Sequence, residues 1–239
     1  MRLDKLVSLA GGVSRQEARR LIASGAVAVD GETVTQPDRK VDETAAAVTR
    51  SGAPLRWQRY RYFMMDKPAG VLTATTDRDQ QTVLDLLPEE LRRLKLVPAG
   101  RLDKDTTGLL ILTNDGDYVH RVISPRHHVR KVYYAETEGM PTEDDVRRFS
   151  AGMTLADGTV CLPALLELLP ERGACRVTLR EGKYHQVKRM LAACGTPVRT
   201  LRRMSIGALF LDNMLRPGGY RELTEAEAQA VFLDAEPQN

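Results

Sequence analysis

Cysteine is scarce in this chain of 239 residues: Cys161, Cys175 and Cys194 are odd in number, widely spaced and form no CxxC pair. A disulfide framework and a zinc site both need more, so neither is expected, and the cytosol is the natural compartment. No apolar run approaches the roughly 18 residues of a membrane helix. The first residues carry Arg2, Asp4 and Lys5 where a secretory leader would need an apolar stretch, so a chain neither exported nor membrane-inserted is expected. Charge of one sign is also lacking, since 35 Lys and Arg against 32 Asp and Glu leave +3. That total argues weakly for a polyanionic partner. There is no internal repeat, and no low-complexity tract beyond a polar tail.

The distribution of charge says more than its sum. Basic clusters at Arg15 to Arg20, Arg56 to Arg61, Arg121 to Lys131 and Lys183 to Arg203 contrast with acidic stretches at Glu143 to Asp145 and Glu222 to Glu227. Any one cluster alone reads as a solvated face, but the asymmetry suggests a basic face toward nucleic acid. Length fits a medium domain with a small module in front. In the first segment, apolar Leu3, Leu6, Val7 and Leu9, then Ala18, Leu21 and Ile22 after a capping Ser14, predict two short helices. AVAV and ETVT around Asp30 and Gly31 predict a hairpin. This helix, helix, hairpin run, RLDKLVSLAGGVSRQEARRLIASGAVAVDG, resembles the S4 RNA-binding domain, which implies that Arg15, Arg19 and Arg20 face RNA.

Residues 1–43 are therefore expected to form an S4-like RNA-binding domain, 44–58 a linker, 59–235 a catalytic domain and 236–239 the tail. Short β-rich runs from Tyr60 onward (YRYFMM, LLILT, KVYYAET, CRVTL, IGALFL) predict a mixed, largely antiparallel sheet. Helices are expected at Thr82 to Leu94, Asp144 to Ala151, His185 to Cys194 with Gly195 as its cap, and from Thr224, where Glu227 completes a capping box. The class is α+β, a small helix-helix-hairpin domain followed by a sheet with flanking helices.

The most informative run is GRLDKDTTGLLILTNDG, residues 100 to 116, a polar loop feeding an apolar strand. Its Asp103 and Asp105 admit three readings: turn carboxylates, metal ligands, or a nucleophile or base flanked by Arg101 and Lys104. The calcium-loop likeness is partial, because Asn114 stands where a bidentate glutamate is needed and Lys104 opposes a cation. His127, His128 and His185 are ligands by type, but neither Cys nor carboxylate supports them at suitable spacing. No metal is expected.

The same run resembles the signature of the RNA pseudouridine synthases of the RsuA and RluA kind, in which the aspartate matching Asp103 is essential. DKPAG at 66 to 70 is similar to the family motif whose Lys67, Pro68 and Gly70 buttress the catalytic loop. KVY at 131 to 133 supplies Tyr133, and EGKYHQVKRM at 181 to 190 resembles the basic helix motif. The resemblance implies Lys188 as the cation beside Asp103, Tyr133 stacking on the target base, and Arg101 filling the space that base leaves or holding a phosphate. It also implies RNA contacts from Arg126, His127 and His128 in the SPRHH turn and from His185, Gln186 and Arg189. Taken singly, Lys188 reads as a solvated helix lysine and Tyr133 as sheet packing.

Isomerising uridine breaks the bond between N1 and the ribose, turns the base, and rejoins it through C5. No redox change or external group is needed, so a carboxylate suffices, as nucleophile or base, and no cofactor is expected. A uridine in folded RNA must first be flipped out. The competing class is a noncatalytic S4-type RNA-binding module for ribosome assembly; intact Asp103, Tyr133 and Lys188 favour the enzyme. A hydrolase lacks a second acidic motif. The front domain, SPRHH and EGKYHQVKRM together resemble the RsuA branch, which implies one uridine of small-subunit ribosomal RNA, naked or in a partly assembled ribonucleoprotein particle, with large-subunit RNA the alternative. No membrane partner is implied, and a monomer is expected.

Overall fold

The computed structural model describes residues 1–55 and 57–234. Arg56, which heads one basic cluster, residue 235 and the tail 236–239 lie outside the described residues. The chain divides into two compact units, one from residues 1–60 and 87–96, the other from 61–86 and 97 onward.

The first unit opens with helices α1 (Leu3–Ala10) and α2 (Arg15–Ala23). Ser14 caps α2, its hydroxyl accepting the Glu17 N–H at 3.1 Å. Leu3, Leu6 and Val7 share one face of α1, and with Ala18 and Ile22 of α2 they build a core against Val27, Val29, Val34, Val41 and Val48. Strands β1 (Val27–Val29) and β2 (Glu32–Thr33) turn through Asp30 and Gly31, whose φ of +52° and +87° are both positive, as the tightest hairpin turn requires.

The expected linker is folded. Val48–Arg50 and Ala53–Pro54 are strands β3 and β4, and the sheet order is β2-β1-β3-β4. Val48 is buried opposite Val29, and a second tight turn at Ser51 and Gly52 joins β3 to β4. Strands this short carry too little alternation to show as a period. The helix expected over 82–94 shrinks to the single turn α3 (Glu89–Arg92). Pro88 lacks the N–H a continuous helix would need, and Thr82 is tied instead to Asp85, which accepts from both its N–H and its hydroxyl at 2.8 Å.

In the second unit the chain runs β5 (Tyr62–Lys67), β6 (Val97–Pro98), β7 (Thr107–Thr113), α4 (Gly116–Ile123), a 3₁₀ turn at Pro125–His127, β8 (Lys131–Thr137) and α5 (Glu143–Ala151). It continues through β9 (Met153–Thr154), β10 (Val160–Cys161), β11 (Leu165–Leu168), β12 (Ala174–Leu179), α6 (Gln186–Ala193), β13 (Val198–Ile206), β14 (Leu209–Phe210), β15 (Tyr220–Glu222) and α7 (Glu225–Ala230). The main sheet follows the order β11-β12-β8-β13-β7-β5-β15. Its pairings are antiparallel except for β7 against β13, so the unit is the mixed sheet with flanking helices that the sequence predicts.

Leu109 to Leu112 of β7 are wholly buried, which fits a central strand covered on both faces. Leu109 and Ile111 pack with Tyr118, Val122 and Ile206. A second apolar cluster gathers Leu102, Tyr133, Phe149, Val177 and Val187. The expected IGALFL strand is a hairpin: β13 begins earlier, at Val198, and the chain turns at Gly207, where any Cβ would overlap the Val231 carbonyl. The Thr224 capping box is formed in both directions with Glu227.

Candidate active site

The loop 101–106 stands at the N-terminal end of β7. Its backbone is held from behind by a buried cation. Lys67, with no exposed surface at the end of β5, donates from Nζ to the carbonyls of Pro68 at 2.9 Å, Lys104 at 3.2 Å and Thr106 at 3.0 Å. Burial pulls its pKa down to about 8, against the attraction of Asp105 and Asp103. Gly70, at φ +84°, donates its N–H to the same Lys104 carbonyl at 2.8 Å. Thr73, unremarked in the sequence, donates to the Leu102 carbonyl at 2.8 Å and accepts the Leu102 N–H at 3.2 Å. Four backbone groups of the loop, the N–H and carbonyl of Leu102 and the carbonyls of Lys104 and Thr106, are thus fixed, which holds Asp103 between two anchored residues.

Each oxygen of the Asp103 carboxylate meets a different group. Lys188 Nζ lies 3.3 Å from Oδ2, and His185 Nε2 lies 3.4 Å from Oδ1. His185 sits just before α6 in the left-handed region, at φ +48°, a conformation that few residues other than glycine adopt. Lys188 is shared. It also donates to Asp105 Oδ1 at 2.5 Å, and this hydrogen bond is the main reason the exposed Asp105 carboxyl lies below its ordinary range. Among the described residues no group of three or more His, Cys, Asp or Glu is placed to hold a metal ion.

Beside this cluster a cleft of about 290 Å³ opens, lined among others by Asp105, His185, Lys188, Arg189, Arg199 and Leu201. Tyr184 stands largely in solvent, 76% exposed, with its ring stacked on that of His185 at 3.8 Å between centroids. Tyr133 is instead buried, in the apolar cluster with Leu102 and Val187. At 8% exposure it offers little surface for the stacking on a base that the resemblance implies.

Arg101, Arg126, His127 and His128 are exposed. Arg189 is held by Asp157 and by Thr159 Oγ1. Gln186, expected to contact RNA, does not reach the surface: it is 3% exposed, and its amide donates to Glu181 Oε1 at 2.6 Å and accepts the Lys183 N–H at 3.0 Å. Its role is to close the turn into α6. The basic cluster ending at Arg203 also needs correction, because Arg203 is 2% exposed and faces inward.

In the first unit, Arg15 and Arg19 converge with Arg2 on Asp4, which is 1% exposed, at 3.1, 3.6 and 3.1 Å respectively. Burial alone would raise the Asp4 pKa, but the hydrogen bonds from Arg2 and Arg15 prevail and lower it. Three cations around one carboxylate leave a positive surface there. Arg20, on the same helix, is exposed.

A family model described as RNA pseudouridylate synthase matches residues 61–193, and that of the S4 domain matches residues 1–45. The chain belongs to the RNA pseudouridylate synthase family. Relatives of this pseudouridylate synthase include the protein called "Uncharacterized RNA pseudouridine synthase YtzG" in Bacillus subtilis, 44% identical over the whole of both chains. "Ribosomal small subunit pseudouridine synthase A" of Escherichia coli is 44% identical over 97% of this chain and all of that one. In space it is similar to a crystal structure of a pseudouridylate synthase, with a TM-score of 0.68 and 35% identity over 97% of this chain and 99% of that one. The S4 segment and the loop carrying Asp103 thus belong to one shared architecture.

Proposed function

We propose that this synthase isomerises a single uridine of bacterial small-subunit ribosomal RNA, with Asp103 as the catalytic carboxylate and the target base flipped into the site. The observation that carries the reading is the Asp103 carboxylate, clamped between Lys188 and His185 on a loop anchored from behind. The choice of subunit is supported by likeness, over nearly the full length of both chains, to proteins named for that subunit. Uridine enters with its N1–ribose bond intact. Asp103 attacks as nucleophile or acts as base, the N1–ribose bond breaks, the uracil turns, C5 bonds to the ribose, and the C5 proton is lost while N1 gains one. Arg101 occupies or braces the space that the flipped base vacates, and the exposed part of Tyr133 meets the base. The enzyme works in the cytoplasm, as a monomer and without cofactor.

Unmodified small-subunit and large-subunit RNA or particles should be incubated with the protein and pseudouridine then located chemically. Modification of one small-subunit uridine is the expected result. Modification confined to the large subunit would overturn the subunit assignment and leave the reaction standing, and modification of neither would reject both.

The S4 arginines contribute affinity through phosphates. Arg15→Ala with Arg19→Ala should lower the slope of log affinity against log salt by about one per lost contact, while turnover at saturating RNA holds. An unchanged slope would remove these residues from the interface. Truncation at residue 43 is the poorer test, because it strips β3 of its partner β1.

A further inference from the structure

Strand β13 buries Leu201, Arg203 and Ser205, at 6%, 2% and 0% exposure. A guanidinium in such a row is costly unless something compensates it. Among the described residues no carboxylate lies within ion-pair distance of Arg203. Its partners are carbonyls: Nε donates to Leu109 at 2.8 Å and Nη1 to Arg101 at 3.4 Å, while Nη2 is buried without a partner. Those two carbonyls bracket the catalytic loop, one before Asp103 and one after it. Lys67 holds the stretch between them, so two buried cations sit behind one functional carboxylate, close enough that the charge of Arg203 disfavours that of Lys67.

The backbone is arranged to bring Arg203 there. Its residue pairs in register with Gly108 of β7, where φ is +101° and any Cβ would overlap the Arg203 carbonyl. On the other side, the register of β13 against β8 shifts between Arg203 and Ser205, a bulge of the kind that re-aims a side chain. A strand with only packing to do would carry an apolar residue here and avoid a buried charge.

We propose that Arg203 is a positioning residue for the isomerisation: its planar fork ties both ends of the loop 101–109 at once, so that Asp103 meets the reacting bond in one geometry. A lysine would bring a single nitrogen with freely rotating donors in place of three nitrogens in a rigid plane, and so would fix the two carbonyls less firmly. The proposal rests on Asp103 being the catalytic carboxylate.

The test compares Arg203→Met, Arg203→Lys and Asp103→Asn in single-turnover assays at saturating small-subunit RNA, with RNA affinity, its salt slope and thermal melting alongside. Loss of loop geometry should slow the chemical step of Arg203→Met by about 100-fold. Affinity and salt slope should stay at wild type, because a buried guanidinium touches no phosphate. Arg203→Lys should recover part of the lost rate. Should Arg203→Met fail to fold, Arg203→Lys decides, and a wild-type rate there rejects the proposal. Lost affinity with a lowered salt slope would also overturn it, by making Arg203 a phosphate contact. Wild-type rates in both Arg203 variants beside an inactive Asp103→Asn would sink this inference alone, whereas an active Asp103→Asn would sink the catalytic reading beneath it.

Discussion

Asp103→Asn should abolish pseudouridine formation, with a loss of about 10⁴-fold or more, at the top of the range for removing an acid–base group. The amide keeps the shape of the carboxylate but can serve neither as nucleophile nor as base. The fold should barely notice. The Asp103 side chain is 28% exposed, and Lys188 retains Asp105 at 2.5 Å, so no cation is left buried and unpaired. Binding of RNA, measured by titration at fixed salt, and the melting temperature should both match the wild type. Turnover near the wild-type rate would remove Asp103 from the chemistry.

Lys67→Met should cost about 100-fold in the chemical step, because the carbonyls of Pro68, Lys104 and Thr106 lose their shared donor and the loop loses its geometry. The effect on stability is smaller. Methionine fills a similar volume and removes a buried charge, which offsets part of the penalty for orphaned carbonyls. Lys67 also gives activity and stability opposite dependence on pH. Its ammonium has three donors for three carbonyls, and the neutral amine has two, so the rate should fall as pH rises through about 8. Between about 8 and the ordinary lysine value of 10.5 the unfolded chain binds the proton and the folded chain does not, so this group's contribution to stability rises with pH in that window. Rate profiles and melts over this range check both signs. A wild-type alkaline fall in Lys67→Met would show that another group sets it.

Much of this was legible in the residues and some was not. From the residues alone Asp103 stands among three readings, and the resemblance carried by four motifs in order is what singles it out as the candidate carboxylate. Lys188 could not be placed from composition, since a helix lysine is usually solvated. The resemblance alone put it by Asp103, and its stronger hold on Asp105 was unforeseen. Gln186 and Arg203 were misread for one reason: both lie in basic runs, and charge along a sequence does not say which side of a strand or turn a residue occupies. For Arg203 the sequence carries no clear signal: Leu201 shares its phase but the apolar Met204 and Ile206 hold the other, and only the structure shows the arginine buried. The strands at 48–54 were missed because two- and three-residue strands have no measurable period, and the false helix over 82–94 was accepted despite Pro88 in its middle.

The most direct measurement is the release of tritium from small-subunit RNA labelled at C5 of its uridines. Forming the new bond from C5 to the ribose must expel the hydrogen there, whichever route Asp103 takes. The wild-type protein should release one tritium per RNA molecule and then stop, with Asp103→Asn releasing none. No release from small-subunit RNA, or equal release by Asp103→Asn, would contradict the account.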